Sequence, residues 1–292
     1  MHGFLRAMSL ATLALVAGWM PVTRAAETVN VLYAGSLVNL MEHGVGPAFE
    51  QATGESFRGF AAGSKELANQ IKGRLRPGDV FISANPKVNA TLMGAKNGSW
   101  ATWYASFAQS PLVIGYSASS RFAADFKTKP WYEVLAEPGI RIGRTDPKID
   151  PKGALTLQLM AAAERSYHRA GLARRVLGAP DNPAQVLPEE TLVGRMQSGQ
   201  LDAGFFYSTE VTDTHIPSVA VPAAIAPMAV YTVTILRGAP NAAGARRFVA
   251  FLLGPRGRRI LAAHGLALRK PSLSGDANGA PSDIRALATG TQ

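Results

Sequence analysis

The sequence predicts an α/β fold in which one block of chain is inserted between two parts of another. Three observations lead there. Short apolar runs alternate with segments of helical period. The connections between them are brief and rich in Gly, Ser, Asn and Pro. Two further stretches, near 108–115 and near 224–232, read as a pair of crossing connectors. They divide the chain into lobe 1 (27–110 plus 226–292) and an inserted lobe 2 (111–225).

Residues 1–26 stand apart. Arg6 supplies a positive start, 10–20 an apolar core, and the segment up to Ala25 and Ala26 a small-residue cleavage point. That is the pattern of a secretory signal peptide, so the mature chain is expected outside the cytoplasm. Its apolar core falls well short of the roughly 20 residues of a spanning helix, and no later run reaches that length. There is no Cys, which excludes disulfides, thiolate chemistry and a lipid-anchored cysteine.

The stretch 29–40, VNVLYAGSLVNL, reads as a buried strand that breaks at Ala34-Gly35-Ser36 into a helix. Gly35 permits close backbone approach. Ser36 falls at the helix start, where free N–H groups and the positive dipole end favour an anion. The arrangement recurs: 56–62 begins as a strand, Gly63-Ser64 forms the turn, and 65–72 follows with Leu67 and Ile71 on one helix face. A serine at a helix start also serves as a plain cap. Residues 79–84 give the next strand, 105–116 a strand leading into lobe 2, and 140–143 a strand there. Asp150 and Pro151 suit the cap and first turn of a helix over 154–168. A helix over 189–198, strands over 201–207 and 219–221, a strand over 228–236, and helices over 241–253 and 255–264 complete the pattern. From 272 the chain is rich in Gly, Ser, Ala and Pro, and its end is expected to be poorly ordered.

The formal charge is +10. Without Arg6 and Arg24 it is +8. The basic residues are scattered and lack interleaved aromatics, so nucleic-acid binding is not expected. A basic surface does draw in small anions. The five His are isolated, and HExxH, Walker, GxGxxG, GxSxG and SxxK patterns are absent. No enzyme, cofactor or resident metal site is therefore expected. What remains is a set of strand-end turns bearing hydroxyl and N–H donors, which can hold an oxyanion without a paired cation.

The blocks LYAGSL (32–37), AAGSKELANQI (61–71), DVFISAN (79–85), GRTDPKIDPKG (143–153), SGQLDAGFFY (198–207) and the segment 231–266 resemble, in order and spacing, the molybdate/tungstate-binding periplasmic components of ABC importers. The resemblance implies the type II periplasmic-binding-protein fold: two lobes, each a sheet flanked by helices, a two-strand hinge, and the ligand in the cleft. It implies a monomer that delivers molybdate or tungstate to a membrane permease and its ATPase. It implies an oxyanion site containing Gly35, Ser36, Gly63, Ser64, Asp150 and Tyr207, with no metal beyond the oxyanion's own centre. In the archaeal-type branch the aspartate matching Asp150 contacts that centre together with a glutamate, but Phe206 stands at the glutamate's place and Leu155 at that of an arginine. An unpaired carboxylate at ~4 Å from one charge of an oxyanion costs roughly 4 kcal/mol at an effective dielectric near 20. Asp150 therefore caps its helix facing away, meets the ligand's centre, or marks a different ligand. Glu210 lies too far along the chain to replace the missing glutamate in register. The alternatives are another oxyanion, an organic carboxylate or a metal chelate on the same fold, or an exported enzyme.

Overall fold

A computed structural model describes residues 27–289. The signal-peptide reading of 1–26 lies outside the described residues. Ten strands form one curled, mixed sheet: β1 (Thr28–Ala34), β2 (Ser56–Ala62), β3 (Val80–Ser83), β4 (Trp103–Tyr116), β5 (Ile142–Thr145), β6 (Val186–Leu187), β7 (Ala203–Tyr207), β8 (Ser218–Ala220), β9 (Met228–Ile235) and β10 (Ala267–Gly275). Their order is β2-β1-β3-β9-β4-β7-β5-β6, with β8 and β10 also on β4. β1 runs parallel to β2 and β3, and β5 parallel to β6 and β7, while every pairing of β4 and β9 is antiparallel. The parallel pairs require the helical crossovers that the alternating sequence pattern foretells.

β4 is the spine. Its first part pairs with β9 as far as Pro111 opposite Met228, and its second part with β7 from Leu112 opposite Tyr207. Fourteen mostly buried residues make this possible, because a strand covered on both faces carries a near-continuous apolar run. β1, β2, β3, β9 and β10 thus form one half of the sheet with the start of β4, and β5 to β8 the other half with its end. The return crossing lies beside it, where Leu112 N–H donates to Pro227 at 2.9 Å.

Local sequence sets the elements around this spine. The helix Ser64–Lys72 buries Leu67, Ala68 and Ile71 on one face, and each large side chain contributes about 1.5–3 kcal/mol by leaving water. The helix Pro151–Ser166 starts where Pro151 fixes the first turn. The segment after β1 is less regular than its period suggests. A tight turn (Gly35–Leu37), a single α-turn and a wide turn (Met41–Val45) precede the helix Gly46–Thr53.

The tail from 272 is more regular than its composition suggests, while its last residues, where poor order was expected, lie outside the described residues. β10 pairs antiparallel with the first part of β4, and Ser282–Thr289 is a helix whose Ile284 is fully buried in the main core. Small residues hid this strand, because half of β10 is exposed and carries little apolar signal.

Candidate functional site

Four strands of the sheet deliver turns to one place. β1 ends at Ala34 and gives Gly35 and Ser36; β2 ends at Ala62 and gives Gly63 and Ser64. From the other half, β5 ends at Thr145 ahead of Asp150, and β7 ends with Tyr207 itself. The site therefore lies beyond strand carboxyl ends, where backbone donors point outward.

The glycines explain the close approach of the halves. A Cβ at Gly35 would collide with Cγ of Glu189, and one at Gly63 would lie 3.0 Å from Ile149 O and 3.2 Å from Asp150 Cβ. Backbone and side-chain bonds join the halves beside them: Glu66 N–H to Ile149 O at 3.1 Å and Lys65 Nζ to Pro147 O at 2.8 Å. Gly35, Ser36, Gly63, Asp150 and Tyr207 lie around three residues that were not expected, Lys152, Glu189 and Glu210, and Ser64 follows Gly63 in its turn.

Ser64 is fully buried, and its Oγ accepts from Ala84 N–H at 3.1 Å. Its own proton is free to donate elsewhere. Ser36 Oγ lies 3.1 Å from Tyr231 Oη. Neither serine side chain caps its own helix. Asp150 does cap: Oδ1 accepts from Lys152 N–H at 2.8 Å, Gly153 N–H at 3.3 Å and Thr145 Oγ1 at 2.6 Å. The cap is made by one oxygen, so Asp150 is not turned away from the site; Oδ2 faces Gly63. Tyr207 is buried, and its hydroxyl has no hydrogen-bond partner among the described residues.

An ammonium sits inside the cluster, contrary to the expectation of neutral donors alone. Lys152 is fully buried; its Nζ lies 2.8 Å from each oxygen of Glu210 and 2.9 Å from Glu189 Oε1. It also faces the rings of Phe206 and Tyr207 at 5.5 and 5.4 Å. Glu210 is tied down further by Tyr207 N–H, at 2.7 Å from Oε2. So Glu210 does reach the site, one helical turn beyond β7. Phe206, at the place where the resemblance expects a glutamate, lies in an apolar cluster with Leu192, Met196 and Val211.

Burial opposes the Lys152 charge, but Glu189, Glu210 and Asp150 outweigh it and hold the ammonium above the ordinary lysine range. Burial pushes all three carboxyls up. For Glu189 the neighbouring Asp150 adds to the rise, taking it well above the usual range. Lys152 opposes the rise for Asp150 and Glu210. Tyr207 is raised well above its ordinary value by burial and by Asp150. It remains a neutral O–H donor.

Sequence reasoning missed Lys152 and Glu189 because their local marks are weak. Lys152 reads as a polar residue at a helix start, and Glu189 as the first-turn acid of another helix. One signal was available: a lysine in the first turn of a helix opposes the macrodipole, which asks for a compensating acid.

Cavities flank the cluster. One of ≈ 410 Å³ is lined by Gly35, Ser36, Asn39, Glu189, Glu210 and Asp213 among others, and one of ≈ 300 Å³ by Gly63, Glu66, Thr145, Asp150 and Glu189 among others. Glu189 borders both. Among the described residues no helix is long and apolar enough to cross a membrane.

A sheet shared by two halves, with polar turns from both meeting at a buried charged cluster, is the build of a protein that encloses a small polar solute. The chain belongs to the bacterial extracellular solute-binding proteins, whose family pattern matches residues 29–267. It is 30% identical over 297 residues to an uncharacterized solute-binding protein of Petrotoga mobilis, covering 90% of each chain. It is 25% identical over 251 residues to the molybdate/tungstate-binding protein WtpA of Thermococcus kodakarensis, covering 70% of each. In fold it is similar to the periplasmic molybdate-binding protein of Azotobacter vinelandii, with a TM-score of 0.65 at 22% identity, over 82% of this chain and 99% of that one.

Proposed function

We propose that this chain captures molybdate or tungstate outside the cytoplasm and delivers it to the permease of an ABC importer. The observation that carries the reading is the Tyr207 hydroxyl, a buried donor with no partner among the described residues. Its ring packs edge-on against Tyr231, whose own hydroxyl lies 3.1 Å from Ser36 Oγ of the opposite half's turn. A buried polar group left unpaired costs about 1–3 kcal/mol, and an oxyanion placed there would recover that cost. The named molybdate/tungstate-binding relative and the fold of the molybdate-binding neighbour support the choice of ion.

Binding would proceed by closure of the halves on a desolvated ion, with protein donors replacing water. Ser36, Ser64 and Tyr207 supply hydroxyls, the turns at Gly35 and Gly63 supply backbone N–H groups, and Lys152 supplies a positive charge. Asp150 acts through its helix, fixing the start of Pro151–Ser166 and so the position of Lys152. Neither catalysis nor a resident cofactor is needed, since capture is an exchange of hydrogen bonds. A periplasmic monomer acting with a permease and its ATPase completes the reading.

Calorimetry on the mature chain with molybdate, tungstate, sulfate and phosphate tests it. Saturable heat with molybdate or tungstate, and weaker heat with the smaller sulfate, is the expected result. Absence of heat with the first two overturns the reading.

A further inference from the structure

The charges around Lys152 do not balance. Three buried carboxyls, from Asp150, Glu189 and Glu210, face one ammonium. Fully ionised, the group carries a net charge of −2, which repels the anion that the site is read to bind. One carboxylate has to give way, and the hydrogen bonds show which.

Asp150 is fixed by three donors through Oδ1. Glu210 is fixed by both oxygens on Lys152 and by Tyr207 N–H. Glu189 holds a single ion-pair contact, from Oε1 to Lys152 Nζ at 2.9 Å, while Oε2 is buried with no partner. Its backbone belongs to a three-residue turn, Glu189–Thr191, between the two cavities. An ammonium has three N–H donors. Glu210 engages the ammonium on one side, and the Glu189 contact is the one whose loss frees a donor at the least cost in other bonds. A carboxylate and an oxyanion also present the same chemistry, delocalised negative oxygens at hydrogen-bond distance.

We propose that the Glu189 carboxylate is an internal competitor for the oxyanion seat on Lys152, and that an incoming oxyanion displaces it. This deepens the oxyanion reading above and rests on it. Displacement takes the Glu189 carboxylate off the ammonium and out of contact with the Gly35 turn. It leaves Lys152 paired with Glu210 on one side and the ligand on the other. Affinity is then set by an exchange of anions, so the site holds its ligand less tightly than its donors alone would allow. A moderate grip suits a protein that must release its cargo.

The test compares wild type, Glu189→Gln and Glu190→Gln by calorimetry with molybdate and sulfate. Glu189→Gln keeps the shape and removes the competing charge. Glu190→Gln removes the same charge from an exposed neighbour on the same turn. The proposal expects Glu189→Gln to bind molybdate about tenfold tighter or more, a change equivalent to about 1.4 kcal/mol, with Glu190→Gln within about twofold of wild type. Equal or weaker binding by Glu189→Gln, with wild type binding normally, overturns the competitor and leaves the oxyanion reading standing. The same gain from both variants also overturns it, because a general field would then explain the effect. No binding of molybdate, or of tungstate titrated alongside it, by wild type or Glu189→Gln overturns the oxyanion reading and the competitor with it.

Discussion

Tyr207 and Ser64 sit in the same site but carry different structural duties, and this separates binding from stability. The Tyr207 hydroxyl has no partner among the described residues, so Tyr207→Phe removes nothing that the fold uses. Its thermal midpoint without added oxyanion should match or exceed that of wild type, because an unpaired buried group is gone, while oxyanion binding weakens by about 1.5–3 kcal/mol, the range for a hydrogen bond to a charged group. Ser64→Ala should weaken binding by a similar amount but also lower stability by about 1–3 kcal/mol, because it orphans the buried Ala84 N–H. Thermal melts with and without molybdate read both effects. A Tyr207→Phe protein that melts much earlier without ligand, or binds as tightly as wild type, would show that the hydroxyl serves the fold and not the ligand. Lys152 is the residue where local reasoning failed. Its burial is tolerable only because carboxylates from β7's end and from the 189–191 turn arrive beside it.

At the scale of elements, the two glycine-serine turns act as spacers as much as donors. Gly35 has no side chain, and its φ is not in the left-handed region, so alanine fits the backbone. What it cannot fit is the opposite half's turn: its Cβ would strike Glu189 and lie within 3.3 Å of the Glu190 backbone N, which stays when the Glu189 carboxylate swings away. Gly35→Ala is therefore expected to keep the fold of its own half yet hold the halves apart, weakening oxyanion binding about tenfold or more with only a small change in ligand-free stability. Calorimetry and a thermal melt on the same sample check this. The helix Pro151–Ser166 is the complementary element. Its first turn packs so closely on the end of β5 and the turn after it that a Cβ at Gly153 would collide with Thr145 O and lie 2.6 Å from Pro147 N. This contact aims Lys152 at the cluster.

Across the whole molecule, the halves are joined by β4, by the return crossing beside it, and by contacts at the site's rim. Asp213 on the second half accepts from Asn39 Nδ2 at 2.7 Å and lies 2.6 Å from His264 Nδ1, both on the first half. It bridges the rim of the larger cavity. Asp213→Ala should favour a more open arrangement. Its radius of gyration by small-angle scattering without ligand should rise, and molybdate affinity should fall about threefold to tenfold, as expected of partly exposed polar pairs. An unchanged radius and affinity would show that the rim contacts do not bias closure.

Sequence by itself determined the α/β alternation, the buried strands, the two Gly-Ser turns, Asp150 as a helix cap and Tyr207 at a strand end. Each of these is a local statement: apolar period, cap chemistry and turn chemistry act over a few residues. The match of blocks in order also carried the family. Only the tertiary structure decided that β4 serves both halves, that the chain leading into the small-residue tail supplies β10, and that Lys152, Glu189 and Glu210 meet. Those three lie far apart along the chain, and their pairing depends on where parallel strands and crossovers bring their ends. A buried charge is legible only with its partners, because its cost is set by what surrounds it and not by its neighbours in sequence.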